Sequence, residues 1–420
     1  MMAIGARHRR TAVWRWRHAL AYVIQCGVPL CVALAHLEAQ QAAPESSPAA
    51  RGNSPTLPPV QFKVLLDVDY VSGEPEVPPP TQGFGLRRAR LFAQVAGPAG
   101  LGFRLQVDPT ALAVGPQSAA PYRGVPLVEA YIDYQLPAHF LVRVGQQRVP
   151  YTLDAFTGGP PLPTPEYNQL VRYTVQRSSA FRDIGVTVGG TYRGFEAVAG
   201  VFNGAGINVI ADNDSSRDVA ARISYAIVPG VQVGASAWRG HSGNLYVRSQ
   251  GAPPVKAFYD NADFRRGDVD LHVGVGLLDL AAEYGAEHLE YNAKASNPAP
   301  NARRLDRRGY NVTGALRLGG IEPALRRVEL VGRFDRWDPN AAVPGDEVTE
   351  YVAGLNFYMF LVTTPSDRRL GRTVNFVQRQ SRVMVFGEWD SPAREGKAAP
   401  MGALLTAATH RLHVRWELFY

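Results

Sequence analysis

Cysteine is almost missing from this chain: of 420 residues only Cys26 and Cys31 carry a thiol, and both sit near the start. Once a leader of that length is removed none is left, which excludes a disulfide scaffold and any cysteine metal centre and suits export without cross-linking. Lysine is nearly as scarce. Lys63, Lys256, Lys294 and Lys397 are the only four among 44 basic residues, so contacts with anions fall to guanidinium forks, which fit phosphate and carboxylate oxygens. Beyond residue 39 histidine is limited to His139, His241, His272, His288, His410 and His413. No His-Glu-x-x-His spacing and no Gly-x-Ser-x-Gly elbow occurs, so catalytic and metal residues are expected to be none and no cofactor is called for. His288 with Glu290 is the one pair that resembles a metal or catalytic site, and an exposed strand-end histidine explains it as well. Gly189-Gly190 and Gly204-Ala205-Gly206 have no strand-to-helix context, so they are not phosphate-cradling loops. Asn311-Val312-Thr313 fits a glycosylation sequon by pattern, but its place on a predicted strand removes that meaning.

A helical period is also lacking from residue 60 onward, and the only long apolar stretch is residues 19–34. It follows Arg7, Arg9, Arg10, Arg15 and Arg17, as the core of a secretory signal follows its basic region, with cleavage expected near Ala33-Leu34-Ala35 or Ala39. A retained anchor is the alternative, and Gly27 and Pro29 argue against it. Leu30 before Cys31 does not suit a lipoprotein site. Cutting residues 1–39 removes five Arg and Glu38 and lowers the net charge from +7 to +3. The basic balance is therefore weak evidence for a nucleic-acid partner, and none is expected. Residues 40–59 are rich in Pro, Ala and Ser and read as a disordered periplasmic lead.

What the remainder does have is alternation. At the chain end Leu412, Val414, Trp416, Leu418 and Tyr420 oppose Arg411, His413, Arg415 and Glu417. The same two-residue period runs through 61–71, 101–108, 128–136, 218–227, 268–275, 310–318 and 328–335. Short links (97–100, 137–138, 193–194, 229–230, 276–277) alternate with long ones (72–83, 109–124, 150–182, 204–216, 240–263). Strands apolar on one side, charged on the other and closing on an aromatic suit a transmembrane antiparallel β-barrel with short periplasmic turns and long outer loops. The count is about sixteen strands, with the pattern blurred around residues 360–386. A soluble β-sandwich also alternates, but its strands are usually shorter. Lipid energetics orient the strand at 83–95. Facing Leu91, Ala93 and Val95 outward sends Arg88, Arg90 and Gln94 inward and leaves Arg87 to snorkel at an interface, whereas the reverse exposes arginines at about 2–4 kcal/mol each near the midplane.

Gly83-Phe84-Gly85-Leu86-Arg87-Arg88-Ala89-Arg90-Leu91 resembles an early strand of the phosphate-selective porin O and P family. So do Val128-Glu129-Ala130-Tyr131-Ile132-Asp133-Tyr134 and Val142-Arg143-Val144-Gly145-Gln146-Gln147-Arg148-Val149-Pro150-Tyr151, then Arg182-Asp183-Ile184-Gly185-Val186 and Val201-Phe202-Asn203-Gly204. Ala282-Glu283-Tyr284, Glu329-Leu330-Val331-Gly332-Arg333-Phe334 and Gly354-Leu355-Asn356-Phe357-Tyr358 are similar to its later strands. The resemblance implies an outer-membrane porin, usually trimeric, with arginines along a narrow pore and a third outer loop folded inward. Here that constriction loop is 150–182. Arg172, Arg177 and Arg182, with Tyr167 and Tyr173, are expected near its narrowest point, and Arg88, Arg90, Arg104, Arg143, Arg317 and Arg333 extend a pore-lining, anion-binding ladder. Spaced arginines repel cations and hold an anion weakly enough to release it. The competing reading pairs them with the carboxylates of Asp67, Asp69, Asp108, Glu129, Asp133, Asp218, Asp270, Glu283, Glu329, Asp335 and Glu417, which face the same lumen.

Expected partners are outer-membrane lipid, small anions such as phosphate, two further copies of the chain, and the barrel-assembly machinery through the strand ending at Tyr420. The inserted loop has no lysine, unlike phosphate-specific members, so general anion preference is expected before phosphate selectivity. A non-conducting adhesive barrel that binds through its outer loops is the alternative function.

Overall fold

In the computed structural model the described residues are 59–73, 83–97, 100–112, 127–158, 162–175, 181–209, 216–242, 246–247, 255–256, 262–291, 304–359, 381–391 and 409–419. The expected signal and lead (1–58), Arg177, Tyr420 and the side chain of Tyr173 lie outside them.

The strands are β1 (Val60–Gly73), β2 (Gly83–Ala96), β3 (Leu101–Val107), β4 (Leu127–Gln135), β5 (Phe140–Arg148), β6 (Arg182–Tyr192), β7 (Phe195–Phe202), β8 (Asp218–Val228) and β9 (Val231–Ser242). After a two-residue hairpin, β10 (Tyr246–Val247) and β11 (Val255–Lys256), come β12 (Ala262–Val275), β13 (Leu278–Tyr291), β14 (Arg304–Arg317), β15 (Val328–Asp338), β16 (Val348–Tyr358), β17 (Arg382–Ser391) and β18 (Thr409–Phe419). All except β10 and β11 join one closed antiparallel barrel, and β1 pairs with β18 from Leu65↔Phe419 to Gly73↔Arg411. Among the described residues no helix is long and apolar enough to cross a membrane. Closure is what lets strands cross hydrocarbon, because every backbone N–H and C=O within the bilayer finds a neighbour and no edge remains.

The alternation resolves as the lipid argument requires. Outward positions such as Phe62, Leu91, Ile132, Val186, Val269 and Leu330 are exposed, while Asp67, Glu129, Asp218, Glu283, Glu329 and Glu417 are buried inside. Arg411, His413, Arg415 and Glu417 of the closing strand all point into the lumen, toward Asp390, Glu388, Asp69 and Arg382. Long connections share one end and short ones the other, except that residues 318–327 and 359–381, at the short-turn end, are also long connections.

Arg87 departs from the expected interfacial position. The β1–β2 register shifts between Asp67↔Arg88 and Val68↔Leu86, leaving Arg87 as the extra residue of a bulge. A bulge sets two consecutive side chains on one face. Both Arg87 and Arg88 therefore enter the lumen, where Arg87 reaches Glu166 of the inserted loop at 2.8 Å.

The inner wall is also less uniformly polar than alternation suggests. Phe202, Trp238, Phe264, Leu289 and Leu305 face inward and form one buried cluster with Val149, Tyr151, Leu162, Tyr167, Val171 and Phe181 of the loop region. A second inward cluster joins Ala315, Val331, Val352, Met384 and Phe386. The first cluster gives the inserted loop an apolar seat on the wall.

Replacing outward Val186 with Arg is expected to lower folding stability in vesicles by about 2–4 kcal/mol, against less than about 1.5 kcal/mol for Val186→Leu. Denaturant titration of the refolded barrel measures both, and equal effects would mean that Val186 does not face lipid.

Candidate functional site: the lumen and its inserted loop

Between β5 and β6 the described residues 149–158 and 162–175 leave the wall and reach across the lumen. The first part docks on the β9–β14 side. Helix α1 (Leu153–Thr157) is capped by the Thr152 hydroxyl, which accepts from Ala155 N–H. Leu153 N–H donates to Glu283 at 2.5 Å, and Asn168 Nδ2 donates to both Glu283 (2.7 Å) and Asp154 (2.8 Å). Burial holds the Asp154 carboxyl above its ordinary range despite that hydrogen bond.

The loop tip reaches the far wall by a different means. Pro163 and Pro165 have no N–H, so this stretch mainly presents carbonyls, and a buried carbonyl needs a donor. Wall side chains supply them in series. Arg382 donates to Leu162 O (2.7 Å), Asn356 to Pro163 O (2.9 Å), Arg415 to Pro165 O, and Arg333 to Glu166 O (2.6 Å) and the Thr164 hydroxyl (2.8 Å). The Glu166 carboxylate adds ion pairs to Arg415 (2.8 Å) and Arg87 (2.8 Å). Burial alone would raise the Glu166 carboxyl, but Arg87 and Arg415 outweigh it and hold it well below the usual carboxylate range. Asp69, Glu166 and His413 bring ligand atoms within 4.8 Å of one another, the one such metal-type group among the described residues. Arg415 bridges both of those carboxylates, so a guanidinium already supplies the positive charge a cation would bring.

The predicted arginines fall into separate groups. Arg104, Arg143 and Arg182 come together on the β3–β6 wall, joined by Arg148, which had not been singled out. Glu129 is shared by Arg104 (3.1 Å), Arg148 (3.1 Å) and Arg182 (3.4 Å). Arg143 forms a fork with Asp133 (2.7 and 3.1 Å) and stacks 3.9 Å over Tyr131. Gly145 makes room beside that ring: its φ is 131°, and a Cβ there would collide with Ala130 O and the Tyr131 backbone. Arg88 pairs with Asp67 at 2.7 Å and Arg90 with Asp108 at 2.9 Å. Arg172 and Arg333 meet across the lumen at Glu350 (2.6 and 2.8 Å). Arg317 stands apart near the short turns and donates to Gly276 O at 3.1 Å. Tyr167 packs against Phe181, ring centres 5.1 Å apart, in the loop's buried anchor. His288 contacts Asp306 at 2.5 Å, and Glu290 lies 3.6 Å from Arg304.

Arg148 escaped notice because strict alternation on β5 assigns it to the lipid face. Arg148 and Arg182 are direct register partners at the point where β5 and β6 leave the wall, and both turn to Glu129. A like-charged pair opposite each other is unfavourable without a shared counter-charge, and that pairing was the one available signal. The loop fasteners Arg382, Arg415 and Asn356 were missed because their carbonyl partners are far away in sequence.

A cavity of about 750 Å³ opens beside this cluster, lined among others by Arg104, Tyr131, Asp133, Arg143, Arg148 and Glu196. On the opposite side Asp268, Asp270 and Glu283 line the wall, with Arg222 bonded to Asp270 at 2.7 and 2.9 Å. The lumen thus has three guanidiniums on one carboxylate along one side and clustered carboxylates along the other.

A closed barrel, charged within, apolar without and crossed by an inserted loop, has the architecture of an outer-membrane porin, and its place is the bacterial outer membrane. The sequence model of the phosphate-selective porin O and P family matches residues 60–243, so the resemblance read from the early strands holds over that part of the chain. Two solved structures are similar in fold. One is OmpT folded in vitro, an outer membrane protein of Vibrio cholerae, with TM-score 0.54, 11% identity, and 86% of this chain and 97% of that chain covered. The other is its trimer form, with TM-score 0.56, 12% identity, and 86% and 99% covered. No curated protein matches the sequence. The family match over these residues and the barrel fold point to a channel.

The depressed Glu166 carboxyl sets the pH behaviour of the loop latch. Its contribution is present above the unfolded-state value of ~4.3 and is lost only as pH falls through the lower folded value. Glu166→Gln is expected to raise the frequency of channel closures at neutral pH, whereas the wild type should keep its low frequency from pH 7 down to about 4.5. Single-channel recording measures this, and identical closure statistics in the variant would show that Glu166 does not fasten the loop.

Proposed function

We propose that this porin is a passive diffusion channel for small hydrophilic solutes with a preference for anions. The observation that carries the reading is the Arg104–Arg148–Arg182 group around the single Glu129 carboxylate, beside a cavity that Arg143 also lines. Arg104, Arg143, Arg148 and Arg182 stand against Glu129, Asp133 and Glu196 on this side, so the wall keeps one positive charge in excess, which attracts anions and repels cations. Arg104 and Arg148 remain partly exposed and can contact a passing solute, although Arg148 also donates to Phe156 O and Thr157 O of the loop, while Arg182 is buried behind them and supplies field. Arg88, Arg333 and Arg382 are engaged by carboxylates and by the loop and act as wall and latch. Exposed, partly neutralised guanidiniums bind weakly, which conduction requires. Phosphate is a natural cargo to test, since guanidinium forks match its oxygens.

The assembly in this reading is a homotrimer, as the trimer form of a neighbour of the same architecture suggests. The strand ending at Tyr420 is the segment proposed to engage the assembly machinery.

In planar bilayers the purified protein is expected to give stepwise conductance and, in a KCl gradient, an anion-selective zero-current potential. Arg104→Gln with Arg148→Gln should lower chloride permeability relative to potassium several-fold while the barrel stays folded. A cation-selective wild type would sink the anion reading, and persistent absence of conductance in folded protein would favour the adhesive alternative. Native mass spectrometry in mild detergent should show three chains per particle.

A further inference from the structure

Above the lipid band the outward face of β9, β12, β13 and β14 carries charge. Registers place Arg239 opposite Arg265, Arg265 opposite His288 and His288 opposite Asp306, in one row across four strands. The outer aromatic level on this side is marked by Tyr284, paired with Tyr310 and with Val269. Arg265 lies two outward positions beyond Val269, roughly 10 Å higher toward the long-loop end for a tilted strand. That is headgroup height on the side that faces outside.

The acids around this row are engaged. Asp306 contacts His288 (2.5 Å), Asp263 contacts His241 (2.7 Å), and Asp338 accepts from Arg308 (3.0 Å). Arg239 and Arg265 are different: among the described residues neither has an ion pair or hydrogen bond, although they face each other across adjacent strands. Two like charges in direct register destabilise a sheet unless an anion lies between them. Directly below, the next outward row is small, Ala221–Ala237–Gly267–Ala286. From Ala237 a cavity of about 690 Å³ runs down the lipid face over Ala235, Ala221, Ala199 and Ala197.

We propose that Arg239 and Arg265 form a seat for a phosphorylated lipid of the outer leaflet, with its phosphate between the two guanidiniums and an acyl chain in the alanine groove. Charge complementarity selects the headgroup, since an unpaired guanidinium pair matches a phosphate bidentately. Continuity of the groove with the basic row, on a face that meets hydrocarbon, selects a lipid over a free anion. The seat lies on the outer surface, separate from the lumen arginines and independent of ion preference.

The test uses full-length folded protein in neutral detergent, with bisphosphorylated lipid A as the probe and its dephosphorylated form as the control. Native mass spectrometry counts bound lipid against concentration. The wild type is expected to retain the phosphorylated lipid. Arg239→Gln with Arg265→Gln should weaken retention by roughly thirtyfold, taking a few-fold per arginine near a membrane surface. Ala237→Phe, which fills the groove, should weaken it while leaving both arginines in place. Heat-modifiable gel migration and bilayer conductance check that each variant is folded. Equal binding of the dephosphorylated lipid, or undiminished binding by the double variant, would overturn the proposal. So would an Ala237→Phe variant that breaks the assembly into single chains with lipid retention intact, since the face would then be a subunit contact.

Discussion

A backbone crossing hydrocarbon has nowhere to send its N–H and C=O groups except to another strand, and the whole molecule follows from that constraint. It forces closure, with β18 returning to β1 through Tyr70↔Val414 and its neighbours. Closure divides side chains between lipid and lumen at every residue, so each arginine in the wall must face inward or lie near an interface. The inward faces accumulate charge of both signs, and the lumen becomes a network of guanidinium–carboxylate pairs.

Within that network the same residue type does two jobs, separated by what surrounds it. Where the loop tip lies against the wall, Arg333, Arg382 and Arg415 are buried between carboxylates and proline-flanked carbonyls. Breaking a buried pair of this kind typically costs about 3–5 kcal/mol, because the abandoned charge has no water to turn to. Where the loop leaves space, Arg104 and Arg143 stay partly exposed beside the cavity, and Arg148 combines the two situations, lining the cavity while donating to Phe156 O and Thr157 O of the loop. Burial makes the first group fasteners, and in the proposed reading exposure leaves the others able to meet a solute. The apolar cluster that joins loop and wall belongs to the same division, since a loop that is to stay put needs a dry seat as well as ionic latches.

Much of this was legible beforehand. The period of two, the alternation of short and long links, and the energy of placing Arg88 and Arg90 led to the barrel and its orientation, and the family resemblance implied the inserted loop. Reading failed where the period itself fails. The bulge at Arg87 adds a residue without any mark in composition, and at Arg148 and Arg182 the chain departs from the wall, so face assignment by counting no longer applies. Inward Phe264 and Trp238 were unreadable for a related reason: alternation reports that a face exists, not that part of the lumen is filled by protein.

The chain alone determined that strands would carry lipid-facing apolar side chains opposite a charged interior, because that follows from residue order and the cost of charge in hydrocarbon. Which arginine meets which carboxylate was decided only by the tertiary structure. Arg415 with Asp69, Arg333 with Glu166 O and Arg172 with Glu350 lie far apart in sequence and become neighbours only when the barrel closes and the loop folds across it. Charge balance at a given point in the lumen is a property of those meetings. The positive excess around Glu129 thus appears only in the closed molecule, although each of its arginines can be counted in the sequence.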